Sequence, residues 1–335
     1  MNTLVTGCEG FLGRVLVKKL KERGRYVIGI DKKRNLFHHS EVEPDIFING
    51  DVRDKILREI VTEEGIDEIY HLASWAIQKH CAADPKSAFD NNINGLLNVL
   101  ETCRNVRHNI ESIVISTSDK AFGEAPVPYN ENSPLQPLFI YDTSKACQQL
   151  ISLAYARNYN LPIKIVACSN LYGPGDFNTT RIIPNSIVRL TRDLPIRIWK
   201  DSESHVREFV YIDDAADGFI TVSERGRKGE VYCCGGDEHL KIKDLAEKIC
   251  IMMGKDPKKY IKLAERPIYL HELKEQFMNS SKLRSLGWIP KFSLDEGLKK
   301  SIEFYTKLAN EGKIHPTRFE EDGSITGELE GYFSG

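Results

Sequence analysis

Residues 2–31, NTLVTGCEGFLGRVLVKKLKERGRYVIGID, read as a strand, a glycine-rich turn, a helix and a second strand. The run 2–7 is apolar and short, as a buried strand requires. Residues 11–23 repeat their apolar positions at helical spacing until Gly24 stops them, and 26–31 is β-branched again. Gly7, Gly10 and Gly13 form TGxxGxxG where the first strand meets the first helix. A chain that must turn tightly there, admit a pyrophosphate to bare backbone and pack helix against strand needs glycine at such points. The helix start, at Phe11 and Leu12, then presents N–H groups and a positive dipole end to the phosphates. Asp31 ends the second strand eighteen residues after Gly13, where a carboxylate holds the adenosine ribose hydroxyls and repels a 2′-phosphate. NAD is therefore the expected cofactor. Lys32, Lys33 and Arg34 soften that preference unless they form a solvated loop. Asp51 and Val52 follow the third strand, where they would meet the adenine edge; alternatively Asp51 caps the next helix.

Outward from this stretch, strands and helices alternate. Strands are expected at 45–51, 67–73, 112–118 and 163–169, and helices at 55–64, 86–105 and 142–158, with a Pro- and Asn-rich loop at 124–140. Alternation at this spacing implies right-handed crossovers and an α/β fold, a doubly wound parallel sheet covered on both faces. After residue 170 the texture changes to turns, shorter strands and helices near 182–192, 241–254 and within 286–305. The expected division is a Rossmann domain over 1–170, with 206–232 returning to it, and a smaller C-terminal α/β substrate domain over 171–205 and 233–315. A loosely held tail is expected at 316–335.

The 335 residues include 46 Lys and Arg against 48 Asp and Glu, a formal charge of -2, which gives no footprint for nucleic acid or a polybasic membrane surface. No apolar run reaches the roughly 20 residues of a membrane span. The first residues enter a strand at once and leave no room for a signal peptide. The eight cysteines contain no CxxC, so no metal site or disulfide framework is expected, and reduced thiols fit a cytoplasmic protein.

Tyr141 and Lys145 stand four residues apart at the start of a helix, about 6 Å along its axis. A phenol titrates near pH 10, too high for a base at neutrality. An ammonium ~4 Å away at an effective dielectric of ~20 favours the phenolate by about 4 kcal/mol before desolvation. That suffices for general-base work on a sugar hydroxyl. On another helix the same pair would be a snorkelling surface contact.

TGxxGxxG, HLAS (71–74), Asn92 in NINGLLNVL, Ser118, YDTSK (141–145), SNLYGPGD (169–176) and REFVYIDD (207–214) follow the order and spacing of extended short-chain dehydrogenase/reductases. Over residues 1 to about 305 the chain resembles the NAD-dependent nucleotide-sugar epimerase/dehydratase branch of that superfamily. The resemblance implies Tyr141 as base, Lys145 on the nicotinamide ribose and Ser118 on the sugar hydroxyl that is oxidised. It adds Leu72, Ala73 and Asn92 to the cofactor site and puts Asn170, Arg181 and Arg207 on the nucleotide-diphosphate sugar. Arg207 could instead pair with Asp213 or Asp214. A homodimer through helices near 86–105 and 142–158 is also implied.

Asp119 and Lys120, directly after Ser118, decide between reactions. The resemblance is to 4,6-dehydratases, most like CDP-glucose 4,6-dehydratase, which carries Asp-Lys at these positions. Elimination across C5 and C6 of the sugar needs a base at C5 and an acid at the C6 hydroxyl. Lys120 is expected as the base and Asp119 as the acid; to act so, Lys120 must be neutral. The bland alternative is an Asp119–Lys120 salt bridge. A nucleotide-sugar 4-epimerase would use the same Tyr141, Lys145 and Ser118, and a non-catalytic NAD-binding sensor would usually lack the Tyr or the Lys. His205 reads as a surface strand residue. The segment WAIQKHCAADP after HLAS, Phe122 and Asn279 depart from the family pattern.

Overall fold

The computed structural model describes residues 1–34, 42–106, 108–265, 272–319 and 325–326. Its largest sheet has seven strands, all parallel. Their spatial order is Glu230–Cys234, Ile163–Cys168, Ser112–Ser118, Glu68–His71, Asn2–Thr6, Tyr26–Asp31 and Ile46–Asn49. The order reverses direction at Asn2–Thr6, so the crevice for a ligand lies beyond the carboxyl ends of Asn2–Thr6 and Glu68–His71. Buried on both faces, the central strands read as continuous apolar runs: Ile113, Val114 and Ile115 have no exposure at all.

The first helix, Phe11–Glu22, buries Leu12, Leu16, Val17 and Leu20, one face of a 3.6-residue period. It ends where Gly24 adopts φ +72° and donates its N–H to the Lys21 carbonyl. The helix expected over 86–105 is interrupted. Pro85–Phe89 is α-helical, Asp90–Asn94 forms a π-helical turn, and Gly95–Asn105 is α-helical again. A wider turn of this kind often sits at a functional site, because it re-aims one side chain; here Asn92 lies inside it. The long helix Ile140–Tyr159 stops at Asn160, a left-handed residue before Leu161 and Pro162.

By contacts the chain divides into two units. The first comprises Met1–Leu171, Ile212–Gly236 and Phe277–Lys291, and the second Tyr172–Tyr211, Asp237–Gln276 and Phe292–Gly335. Two features differ from the expected division. Val206–Tyr211 does not return to the large sheet: it pairs with His239–Lys241 and Glu275–Gln276, and re-entry begins with the helix at Ile212. Residues 277–291 also belong with the first unit, anchored by Tyr129, whose N–H donates to the Phe277 carbonyl, and by the indole of Trp288, which donates to the Asp214 carbonyl. Neither anchor has a local sequence signature. In the second unit Ile182–Thr191 packs on Leu294–Asn310, whose start is fixed by a capping box between Ser293 and Glu296. Most of the tail expected at 316–335 lies outside the described residues; within it Arg318–Phe319 pairs with Ile325–Thr326.

The glycine turn has a direct structural test. A Cβ on Gly13 would stand 2.1 Å from the Gly7 carbonyl oxygen and 2.9 Å from Cys8 Cα, both backbone atoms. Gly13→Ala is therefore expected to push the helix off the first strand. It should lower stability by about 2 kcal/mol or more, read as a fall in melting temperature with and without added NAD.

Candidate active site

Four features of the first unit form a dinucleotide cradle. Gly7 adopts φ +71°, and a side chain there would meet Ala73 N at 2.9 Å. No side chain caps the helix start behind Gly10, which leaves the first-turn N–H groups of Phe11, Leu12 and Gly13 to phosphate oxygens. The Asp31 carboxylate accepts from Glu9 N at 3.0 Å and Lys32 N at 2.8 Å, so it sits on the loop and faces where a ribose would lie. Thr6 Oγ1 accepts from Leu72 N and Ala73 N, each at 3.2 Å, and holds the HLAS segment against the first strand. Asp51 does not cap the next helix. Its carboxylate takes Lys32 Nζ at 3.0 Å and Arg53 Nη2 at 2.6 Å, while Val52 is buried in the core.

The second cluster stands at the carboxyl end of Ser112–Ser118. Ser118 and Asp119 are buried, Asp119 being 1% exposed. Ser118 Oγ donates to Asp119 Oδ1 at 2.9 Å and accepts from Lys120 N at 3.3 Å. Asp119 Oδ2 is buried with no hydrogen-bond partner. Such an atom is costly to leave unmatched, and native proteins keep one mainly where a ligand or catalytic step uses it. A short 3₁₀ turn, Asp119–Ala121, carries Lys120 at half-burial beside the long helix.

Tyr141 and Lys145 occupy the first turns of that helix. Lys145 is 3% exposed, and its Nζ donates to the Ser116 carbonyl at 3.1 Å and to Gln148 Oε1 at 2.9 Å. An ammonium has three donors, so the third remains for a ribose hydroxyl. Burial pulls the Lys145 pKa down to about 7, and Nζ lies 5.9 Å from the Tyr141 ring centroid. The free protein thus holds less positive charge by the phenol than the sequence argument assumed, because no carboxylate offsets the desolvation. A bound hydroxyl accepting from Nζ would favour the charged form again. Together with the bare glycine turn, this open donor shows that the residues present fit NAD.

Asn92, expected at the cofactor, works as a clamp. Its amide donates to the Trp75 carbonyl at 3.1 Å and Ser144 Oγ at 2.9 Å, and its Oδ1 accepts from Trp75 N at 2.7 Å. It joins the π turn, the segment after HLAS and the catalytic helix.

Several side chains of the site had no role in the sequence reading. His71 is buried with Nδ1 2.9 Å from Thr6 Oγ1, and burial lowers its pKa to about 3. Gln78 opens a helix, Gln78–Ala83, within the unfamiliar WAIQKHCAADP segment, and its amide donates to Asp142 Oδ1 at 3.1 Å. Asp142, next to Tyr141 and 1% exposed, has its pKa raised to about 6 chiefly by desolvation; the Lys120 charge acts against that rise and Asp119 with it. Only the acid type at position 142 of YDTSK signalled this residue.

A raised carboxyl pKa costs stability where the group must ionise. Against an ordinary value of 3.8, the deficit opens as pH rises through about 4 to 6 and is complete above, reaching about 3 kcal/mol. Asp142→Asn is expected to raise the melting temperature near pH 8 and leave it unchanged near pH 4, as a thermal melt across pH will show.

In the second unit, Arg181 Nη1 pairs with Asp176 Oδ2 at 3.0 Å and stays half-exposed. Arg207 is 3% exposed and pairs with neither Asp213 nor Asp214. Its Nη2 donates to Glu272 Oε1 at 2.8 Å and the Leu273 carbonyl at 2.6 Å, and Nη1 to the carbonyls of Val206 and Lys274. These contacts use four of its five N–H groups, so a bidentate grip on a diphosphate would require it to release a partner. His205 is buried rather than on the surface; its backbone N–H donates to the Ser202 carbonyl at 3.0 Å and Nδ1 lies 3.7 Å from Glu272 Oε2. Asn170 is half-buried at the end of the first unit.

Comparisons with known proteins give the family. A trifunctional UDP-glucose 4,6-dehydratase/UDP-4-keto-6-deoxy-D-glucose 3,5-epimerase/UDP-4-keto-L-rhamnose-reductase of Arabidopsis thaliana is 30% identical over 322 residues, covering 91% of this chain and 47% of its own. The chain spans about half the length of such trifunctional relatives. The structure of a dTDP-glucose 4,6-dehydratase from Streptomyces venezuelae with NAD and TYD bound superposes with a TM-score of 0.82 at 27% identity, over 92% of this chain and 97% of that one. That of a UDP-glucose 4-epimerase from Thermotoga maritima with UDP-glucose gives 0.84 at 26%, over 92% and 99%. The model described as "NAD dependent epimerase/dehydratase family" matches residues 3–235, and the chain belongs to that family.

Proposed function

We propose that the protein is a nucleotide-sugar 4,6-dehydratase, converting an NDP-hexose to the NDP-4-keto-6-deoxyhexose. The observation that carries this reading is the buried, half-satisfied carboxylate of Asp119 beside Lys120, at the strand end that also presents Ser118.

The chemistry follows from the side chains. Ser118 Oγ, donating to Asp119 and accepting from Lys120 N, has one lone pair left for a sugar hydroxyl, and Tyr141 as phenolate takes the proton of the 4-hydroxyl. NAD, held by the Gly7–Gly13 turn, Asp31 and Lys145, would supply oxidation at C4 and reduction at C6. A carbonyl at C4 acidifies the C5 proton, and Lys120 takes it as the free amine. Asp119 protonates the C6 oxygen, which leaves as water, and the ammonium of Lys120, its protons exchanged with solvent, protonates C5 again. The carboxyl oxygen that lacks a partner in the protein is the one free to donate.

Relatives named for dTDP-glucose and UDP-glucose support an NDP-glucose as substrate, while Asp-Lys after the serine keeps CDP-glucose in the panel. The likeness to a UDP-glucose 4-epimerase favours the second reading, epimerisation at C4, in which Asp119 and Lys120 have no chemical part. Asn170 and Arg181 remain the candidates for the diphosphate. A homodimer through the helices near 86–105 and 142–158 belongs to this reading, and Leu150, 58% exposed on the second helix, is the apolar surface it would cover. No helix among the described residues is long and apolar enough to cross a membrane.

The test is incubation with dTDP-, UDP-, CDP- and GDP-glucose. A dehydratase yields an alkali-developed keto-sugar absorbance with at least one of them. An epimerase yields the 4-epimer and no keto sugar.

A further inference from the structure

Asp31 meets the ribose requirement for NAD, yet the next residue is a lysine whose backbone N–H binds the same carboxylate. A cation one residue from that carboxylate would ordinarily welcome a 2′-phosphate and admit NADP. The structure shows where this cation goes. Lys32 Nζ lies 3.0 Å from Asp51 Oδ2 and 2.9 Å from Asn91 Oδ1. Both partners are themselves fixed. Asp51 is gripped by Arg53 through N, Nε and Nη2, and Arg53 also reaches Asp90. Asn91 is 5% exposed within the π turn and donates to Asn92 Oδ1 at 3.2 Å. Of the two cations that follow, Lys33 is exposed and gives its backbone N–H to the Asp31 carboxylate, and Arg34 pairs with Glu43 and lies over the Phe47 ring.

We propose that Asp51 and Asn91 set cofactor selectivity by drawing the Lys32 ammonium away from the ribose, so that Asp31 alone faces the 2′-position. The sequence showed a lysine that softens the preference; the ion pair neutralises it from a different strand end and from the helix turn that carries Asn92. The inference rests on the cofactor and not on the reaction.

The test is binding. Protein stripped of nucleotide is titrated with NAD and NADP while intrinsic tryptophan fluorescence is followed, and nucleotide released by heating freshly purified protein is identified by chromatography. Wild type should favour NAD. Asp51→Asn, which keeps the shape and an acceptor but frees Lys32, should narrow the NAD-to-NADP affinity ratio by about tenfold, the value of one charge-assisted phosphate contact. Asn91→Ala, which removes the other contact, should narrow it in the same direction by less. Adding Lys32→Ala to Asp51→Asn should restore most of the wild-type ratio. An unchanged ratio in both single variants would overturn the proposal. So would a double variant that behaves like Asp51→Asn, since the effect would then come from the lost Asp51 charge and not from Lys32. Wild type favouring NADP would overturn the cofactor assignment itself, and the proposal with it.

Discussion

Tyr141→Phe is expected to lower kcat by about a thousandfold while leaving the KM for the sugar nucleotide and NAD binding close to wild type. The ring packs with Cys81, Ala88, Trp75 and Ile140, and phenylalanine preserves that packing, so only the hydroxyl is removed. In the proposed mechanism its oxygen, as phenolate, accepts the proton from O4, and its loss acts on the transition state rather than on the ground state. Steady-state kinetics together with a titration of NAD separate the two effects. Lys145→Met should add a second signature. It removes the donor left for the ribose and the two bonded to Ser116 and Gln148, so NAD binding weakens as well as kcat. If Tyr141→Phe retained more than about a tenth of wild-type turnover, the phenol would not be the base.

The other large effect is expected at Asp119 and Lys120, where the steps should come apart. Lys120→Met removes the base proposed for C5, and Asp119→Asn removes the acid proposed for the C6 oxygen but keeps an acceptor for Ser118. Neither change touches the proton taken from O4. Both variants should still oxidise C4 and accumulate reduced nicotinamide, visible in the near ultraviolet, while keto-deoxy product falls by about a hundredfold or more. A variant pair with normal product formation would assign Asp119 and Lys120 to the strand end as structure alone. Loss of the reduced-nicotinamide signal as well would place them at the first step, beside Tyr141.

Much of the fold was legible because its signals are local. The glycine turn, the alternation of strand and helix and the acid ending Tyr26–Asp31 are short-range patterns, and the parallel sheet follows from them by handed crossovers. Tyr141, Lys145 and Ser118 were legible from motif spacing. What stayed hidden depends on partners distant in the chain. Val206–Tyr211 reads as any apolar strand, and only its neighbours His239–Lys241 and Glu275–Gln276 place it in the smaller sheet. Arg207 looks like a phosphate ligand until Glu272 and three carbonyls are seen around it. The π turn that aims Asn92, and the Gln78 amide on Asp142, come from a segment with no motif to announce them. The Lys145 pKa likewise depends on how deeply the helix is buried, which four-residue spacing does not encode.

The central claim is that water is eliminated across C5 and C6, the C6 oxygen leaving after a proton is taken from C5. Turnover of the accepted NDP-glucose in heavy water, followed by NMR of the product, tests it most directly. The account predicts a 4-keto-6-deoxy sugar carrying solvent deuterium at C5. A product with C5 still fully protonated, whether keto sugar or 4-epimer, would contradict it.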